Sequence, residues 1–592
     1  MVLPLSLKTF RTPQRLKFQE IEKIIYTKDY ITFIELEALT IIESMNTPPR
    51  WDLNDFYEGS GKESLLIELE NIKVNLAKLK KVEPINFSDK EITILSGLVT
   101  RIEKAESFYY CLSAESMDPS FLTTILLDIT SLKADVRIII TYISKEKNSL
   151  QNSNEIQISS LTMEALRGYE DIYLQLHSQL QIKVEEKELS FSEANHIAMK
   201  HSDSEIRNKV FHSLNETLKK QSNLFASVYN QMIGLRQKSM ELTGLGDCLE
   251  ESIKNNGLSL ESFHTMWSVV DENLPLLTKF LEKKVQESNK DRLTWHELMS
   301  PSQDISHNIG FSEAAVGIID ALEKIDPEIS KFIIKAISNG WVDALPRESK
   351  PRGGMCIPFL TDKQSRITLY YDESFDSARI LAHELGHAWH YLQLNNKPSL
   401  SFLEDRFEMT VAETSSIFFE TVYIDFMIQR TNDLALKKSL VGWKIERSLN
   451  YVMSIRGAYL FEKRFNEARK VGPLNADEIE ALSLQSKKEA YGESLSSYEP
   501  YVWLKYDQFY QTDIPFYNYP YTFGFLLSLG LLELAKEQAH FSIAFQNFLR
   551  ETGTSSVEKL VLKHFGINLS KPSFWQKSLD RLISDIELYA SL

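Results

Sequence analysis

What this chain of 592 residues lacks narrows its identity first. It has only three cysteines, Cys111, Cys248 and Cys356, far apart along the sequence. An odd, sparse set with no Cys-x-x-Cys pair builds neither a disulfide framework nor a cysteine-based zinc site, and it suits a reducing compartment. Basic residues are in deficit: 66 Lys and Arg against 82 Asp and Glu give a formal net charge of −16. A general nucleic-acid binder needs a basic stripe to displace counterions, so that class is disfavoured; a negative field would instead attract cationic peptides. The first residues, Met1 to Lys8, hold no sustained apolar core behind a basic start, so no signal peptide is expected. The most apolar later stretch, Tyr521 to Ala535, is interrupted by Gly524 and Gly530 and falls short of the roughly 20 residues a membrane span requires. A cytoplasmic protein is expected. Glycine and proline are scarce, at 22 and 18 residues, and no repeat or low-complexity tract is visible, so disorder is not indicated.

What is present is a globular composition, 43% hydrophobic and 25% charged. The length exceeds what one ordinary hydrophobic core supports, so two or more lobes are expected. Residues 156–180 and 190–242 carry apolar side chains at three- and four-residue intervals with charges between, which predicts helices. Proline and glycine gather at Pro48, Pro49 and Trp51, at 301–310, and most densely at 340–358, which predicts loops. Arg366 to Tyr371, rich in β-branched and aromatic residues, is one of very few strand candidates. The fold class expected is mainly α, with a small β-sheet just before the motif described next.

Residues 381–390 read Leu-Ala-His-Glu-Leu-Gly-His-Ala-Trp-His. His383 and His387 are four apart and share one face of a helix, where two imidazoles can hold one tetrahedral zinc ion. Glu384 follows the first ligand directly. It can polarise a zinc-bound water and carry its proton to a leaving amine. Ser374 or Asp376 can cap this helix. The related run His296-Glu297-Leu298-Met299-Ser300 lacks the second histidine and should bind nothing. His390 is expected at the surface or behind the ligands.

A catalytic zinc wants three protein ligands and one open position. No histidine occurs between His390 and His540, so a glutamate on the following helix is the natural third ligand. Glu413 is a candidate, with Glu404, Glu408 and Glu420 as rivals on spacing. Thr410-x-x-Glu413 is also a capping-box pattern, in which the glutamate would only tie back to the helix start.

These residues resemble the thimet oligopeptidase and oligoendopeptidase F family of zinc metallopeptidases, most closely its oligoendopeptidase F branch. The resemblance runs over most of the chain. His383-Glu-Leu-Gly-His387 resembles the family's zinc helix, and Val411-Ala-Glu413-Thr-Ser-Ser-Ile-Phe-Phe-Glu420 its third-ligand helix, which favours Glu413. Trp51 to Tyr57, Leu293 to Leu298, the glycine-rich Lys350-Pro-Arg-Gly353-Gly354 and the tyrosine-rich Phe516 to Gly524 match in the same order. The resemblance implies a two-lobed helical fold with a deep substrate channel and one zinc per chain. Residues 1–190 would be a helical region forming part of the channel wall and 191–592 the catalytic region. Short unstructured peptides would be cut at internal bonds. Gly353 and Gly354 would lie beside the cleft.

Hydrolysis builds negative charge on the carbonyl oxygen, which hydroxyl donors can stabilise. Tyr517, Tyr519 and Tyr521 alternate along an extended stretch or spread around a helix start; Tyr521 and then Tyr517 are the expected transition-state donors, with Tyr519 and Tyr510 in substrate binding. The family has a histidine in a His-Phe-Tyr pattern where this chain reads Gln508-Phe509-Tyr510. Glutamine donates only a neutral hydrogen bond, so retuned activity is expected there. The leading function is a zinc oligoendopeptidase. The alternatives are a zinc-containing peptide-binding protein with little turnover, which Gln508 favours and Glu384 opposes, and a non-enzymatic helical scaffold.

Overall fold

Helices dominate because their starts are chemically marked and their apolar stripes find partners. Ser88, Ser190 and Asn475 each form a capping box with the glutamate three residues on. The structure, a computed structural model, describes residues 33–592 apart from positions 46, 58–60, 84–86, 116–117, 148–152, 245, 299–307, 348–349, 351, 395–398 and 404–405. The expectations for the N-terminal residues, for most of the 301–310 loop, for Met299 and Ser300, for Pro351 and for Glu404 lie outside the described residues. Among those described, no helix is long and apolar enough to cross a membrane.

Helices α1 (Lys62–Leu79), α2 (Asp89–Ala114) and α3 (Pro119–Lys147) close their stripes into one hydrophobic cluster, through Leu65, Leu69, Ile102, Phe108 and Ile129. A second, larger cluster holds most of the buried apolar side chains from α4 (Ser153–Ser178) onward, with Leu39 and Ile42 from before α1. The periodic stretch expected over 190–242 is two helices, α5 (Phe191–Lys200) and α6 (Ser204–Thr243), broken at Asp203, whose side chain caps α6. A hairpin not expected from the sequence, β1 (Gln181–Val184) with β2 (Lys187–Ser190), precedes them. Its turn uses Glu185 at φ 57° rather than glycine or asparagine, so the usual hairpin signal is missing.

The small sheet lies where it is needed. β3 (Val342–Asp343) runs parallel to β5 (Gln364–Leu369), and β4 (Gly354–Phe359) runs antiparallel to β5, in the order β3-β5-β4. The strand expected over 366–371 is therefore β5 displaced by two residues, and β4 arises from the stretch expected to be loop. β4 is an edge strand, which is where its Pro358 is tolerated. Its Ile357 and Phe359 enter the first cluster, where Phe359 stacks on Phe56.

Helix α7 (Phe375–Gln393) starts at Ser374, whose side chain accepts from the backbone of Ser377. It packs on α8 (Thr414–Arg430) with almost no space between them at one point: a Cβ on Gly386 would lie 2.6 Å from Ser415 O and from Ser416 Cα. These contacts are backbone and cannot swing away. Helices α9 (Ile455–Arg469) and α10 (Tyr519–Glu537) complete the second cluster near α8.

Gly386→Ala should force α7 and α8 apart and cost about 1–3 kcal/mol of stability, as overpacking does. Denaturant unfolding measures this; an unchanged midpoint would mean that the two helices are not held at glycine distance.

Candidate metal centre

One turn of α7 separates His383 from His387, and their rings stand edge to face with centroids 4.9 Å apart. Glu413 reaches them from the junction between a short helical turn, Met409–Ala412, and α8. Its Oε2 lies 3.3 Å from His383 Nε2 and 3.4 Å from His387 Nε2. One ligand atom from each of the three lies within 4.8 Å of the others, and this is the metal-competent group of histidine, cysteine and carboxylate side chains among the described residues. The close approach at Gly386 makes the meeting possible, because it fixes the start of α8 against the middle of α7.

The capping-box alternative for Glu413 does not hold. Thr410 is buried and donates its hydroxyl to Asn256 O at 2.9 Å, and no side-chain cap is made at either helix start. Glu413 instead accepts from Ser416 Oγ at 2.9 Å and turns its other face to the imidazoles. Of the rivals, Glu420 is at the site in a different position: its Oε2 meets His383 at Nδ1, the opposite ring nitrogen, at 3.1 Å. Arg379 and Arg447 pair with the same carboxylate. Glu408 lies beside Gly257 and away from the imidazoles, with a buried Oε2.

The charges are mutually supporting. Burial opposes ionisation of Glu420, but the Arg379 and Arg447 guanidiniums and the His383 contact hold its carboxyl well below the usual carboxylate range. Burial likewise disfavours a charged His383, yet its contacts with Glu413 and Glu420 push its pKa up to about 10. The surroundings thus favour positive charge between these groups. Two imidazoles and a carboxylate are a donor set that zinc accepts, with a fourth position open. Glu384 is 5% exposed, and burial raises its pKa against the pull of His383 and His387. Gly354 of β4 lies directly over it: a Cβ there would stand 2.7 Å from Glu384 Oε1. Gly353 adopts φ +111°, a conformation that L side chains rarely take, as the chain turns into β4.

β4 offers main-chain groups beside Glu384. Tyr370 N donates to Gly353 O, which makes that pair and every second pair along the ladder the hydrogen-bonded ones. Gly354, Cys356 and Pro358 therefore turn their main-chain groups to the free edge.

The tyrosine segment divides. Tyr521 lies in the first turn of α10, not in an extended stretch, and its hydroxyl is 2.7 Å from that of Tyr517. One turn further along α10, Gly524 approaches Glu413, with a built Cβ 3.8 Å from Glu413 Cβ. Burial raises the pKa of Tyr521, with Tyr517 and Glu413 adding to the effect. Tyr519 and Tyr510 are corrections. Tyr519 is buried, with its hydroxyl accepting from Asn256 and 3.4 Å from Ser252 Oγ. Tyr510 is fully buried and stacked on Tyr173 with centroids 3.8 Å apart. Both rings are core, because a buried aromatic next to a site has the same sequence signature as one in it. Gln508 is half-buried in the short turn Asp507–Phe509, which packs on α4. His390 is buried and bonded to Thr552 at 2.9 Å, and His296 is buried beside Thr294 and Phe211.

Sequence reasoning missed what supports the tyrosines. Phe516 sits at φ 57°, and its N–H donates at 2.8 Å to the buried carboxyl of Glu462 on α9. Arg236 holds the carbonyls of Gln511 and Thr512, and Ser252 that of Pro515. No local motif marks these partners, which lie tens to hundreds of residues away. Burial pushes the Glu462 pKa up to about 7, against the Phe516 N–H and the Arg236 charge. A raised carboxyl pKa means that its stabilising share is complete below the ordinary value and is lost as pH rises through about 7. Glu462→Gln, which keeps an acceptor and cannot ionise, should therefore gain stability over the wild type at pH 8, on the order of 1–3 kcal/mol, and gain none at pH 4. Equal differences at both pH values in urea melts would contradict a buried neutral carboxyl.

Comparison with known proteins relates the chain to peptidases. Residues 329–581 match the model of Peptidase family M3. An oligoendopeptidase F homolog of Borreliella burgdorferi is 21% identical over 557 residues, 89% of this chain and 88% of that protein. Oligopeptidase PepF of Bacillus subtilis is 20% identical over 374 residues, 62% of this chain and 55% of that protein. Among solved structures, a putative peptidase from Chlamydophila abortus shares the fold with a TM-score of 0.75 at 17% identity, over 93% of this chain and 99% of that one. The oligoendopeptidase F of Enterococcus faecium does so with a TM-score of 0.58 at 14% identity, over 97% and 100%. The chain thus resembles peptidase family M3 in its carboxyl-terminal half and oligoendopeptidase F proteins over most of its length.

Proposed function

We propose that this metalloendopeptidase is a zinc-dependent oligoendopeptidase that hydrolyses internal bonds of short, unstructured peptides. The observation that carries the reading is the convergence within 4.8 Å of Glu413 with His383 and His387, the two histidines sharing their helix turn with the buried Glu384. His383, His387 and Glu413 hold the metal. Glu420 holds the His383 ring by its far nitrogen, as carboxylates behind metal-bound histidines do. Zinc, when bound there, supplies Lewis acidity towards water and the scissile carbonyl.

The remaining work falls to the protein. Substrate main chain adds to the free edge of β4, where Gly354 permits approach to Glu384. Glu384 takes the proton of the attacking water and passes it to the nitrogen of the leaving amine, so one C–O bond forms as the C–N bond breaks. Tyr521 donates its hydroxyl hydrogen to the carbonyl oxygen as charge develops, while Tyr517 donates to Tyr521 and fixes its orientation. Burial keeps Tyr521 protonated at any working pH, so it serves as donor and not as base.

Glu384→Gln should retain metal and lose nearly all turnover of a quenched short peptide, because the amide cannot accept the proton. Near-normal kcat in that variant would remove Glu384 from the role of base. Tyr521→Phe should lower kcat and kcat/KM together by roughly 10²–10³-fold with KM little changed, the pattern of a transition-state donor. A change confined to KM would instead make Tyr521 a binding residue.

A further inference from the structure

The helix Leu434–Leu449 runs into α9 through a π-helical turn, Asn450–Ser454, in which Ile455 N donates to Asn450 O five residues back. Such turns are rare, and they occur most often where a helix carries function. This one stands between two parts of the candidate centre. Just before it, Arg447 pairs with Glu420 at 3.4 Å, and Glu420 holds His383. Within it, Tyr451 meets α10 twice. Its carbonyl accepts from Thr522 Oγ1 at 2.6 Å, and its ring stacks on Phe525 with centroids 4.6 Å apart and 14° between the planes. Thr522 follows Tyr521 directly, and Phe525 is one turn beyond it.

Another side of α10 is seated on the third-ligand segment. A Cβ on Gly524 would lie 3.3 Å from Thr410 O, and Ser528 Oγ donates to Thr414 O at 2.9 Å, so α10 rests on main chain to either side of Glu413. Thr522 and Gly524 lie about 200° apart around the helix. Contacts on two sides of a helix fix its rotation as well as its distance. The Tyr451 side has little freedom. Thr522 is fully buried, and Tyr451 and Phe525 line, with Glu420 and Arg447, a cavity of only about 20 Å³, room for a single water. The direction in which Tyr521 projects is therefore set from two places, the start of α8 and the π-helical turn.

We propose that Tyr451 and Thr522 are a positioning pair that aims the Tyr521 hydroxyl at the metal centre, with the π-helical turn as its rigid seat. The assignment rests on the peptidase reading above, in which Tyr521 is the transition-state donor. Neither residue of the pair contacts substrate. Tyr451 acts through its carbonyl and its ring, and Thr522 through its hydroxyl. The same stretch of helix holds Glu420 through Arg447, so the ring of His383 and the hydroxyl of Tyr521 are both referenced to one element. That shared reference is what a donor needs if it is to meet an oxygen that the metal also polarises.

The test compares the zinc-loaded wild type with Thr522→Val, Thr522→Ser, Tyr451→Leu and Tyr451→Phe, each alone and combined with Tyr521→Phe, on one quenched short peptide. Thr522→Val removes the donor and Tyr451→Leu removes the ring. Each should lower kcat roughly 10–100-fold with KM and zinc content little changed, the cost of a misplaced group. Thr522→Ser keeps the donor and Tyr451→Phe keeps the ring, so both should retain most of the turnover. In the Tyr521→Phe background Thr522→Val and Tyr451→Leu should cost little more, because the hydroxyl they aim is gone. Amide hydrogen exchange across residues 517–525 should be faster in Thr522→Val and Tyr451→Leu than in the wild type, with or without metal. Equal losses with and without the Tyr521 hydroxyl overturn the pair. Unchanged exchange overturns it too, as does a loss in Tyr451→Phe as large as in Tyr451→Leu. Should one of the two disruptive variants fail to fold, the other carries the comparison. Failure of the peptidase reading looks different: metal-loaded wild type cuts no peptide, while exchange still reports on the seat of α10.

Discussion

The centre depends on a contact with no side chain in it. Gly386 lets the backbone of α8 rest against α7 at the level between His383 and His387, and the position of Glu413 follows from that contact. Two histidines on one helix supply only half of a coordination sphere. The third side must come from another element, at a distance set to within a few tenths of an ångström. Flexible side chains could not set it; backbone packed on backbone can. The same economy recurs at Gly354, where β4 passes over Glu384 with no Cβ between them.

Around this contact the charges arrange themselves in layers. Glu413 faces the Nε2 atoms, Glu420 faces the Nδ1 atom of His383, and Arg379 and Arg447 sit behind Glu420. Buried carboxylates are costly unless paired, and here each is paired with a group that the centre also uses. The tyrosines are held in a similar way from outside their own segment, by Glu462, Arg236 and Ser252. The left-handed conformation of Phe516 is sustained by that surrounding frame, which places Tyr517 and Tyr521 with their hydroxyls in contact.

How much of this was legible in the sequence follows from how local each feature is. His383, Glu384 and His387 were legible because one helix turn carries them, and the helical class was legible because caps and periodicity are local signals. Glu413 was ambiguous from its own residues, since the capping-box pattern with Thr410 fits equally well, and the family resemblance favoured it. Glu420 was noticed as a glutamate but not as the partner of the far nitrogen of His383, which depends on the packing of two helices. Tyr510 and Tyr519 could not be told from Tyr517 and Tyr521, because buried and half-buried aromatics obey the same composition rules. β4 hid within a glycine- and proline-rich stretch, and the hairpin β1–β2 lacked its usual turn residues.

The central claim is that one zinc ion, held by His383, His387 and Glu413, is the seat of peptide hydrolysis. The most direct measurement titrates turnover of a quenched short peptide against metal content, from chelator-stripped protein back to full loading. The account predicts no turnover in the stripped protein and a linear recovery that ends at one zinc per chain. Turnover that persists without metal, or recovery that requires more than one equivalent, would contradict it.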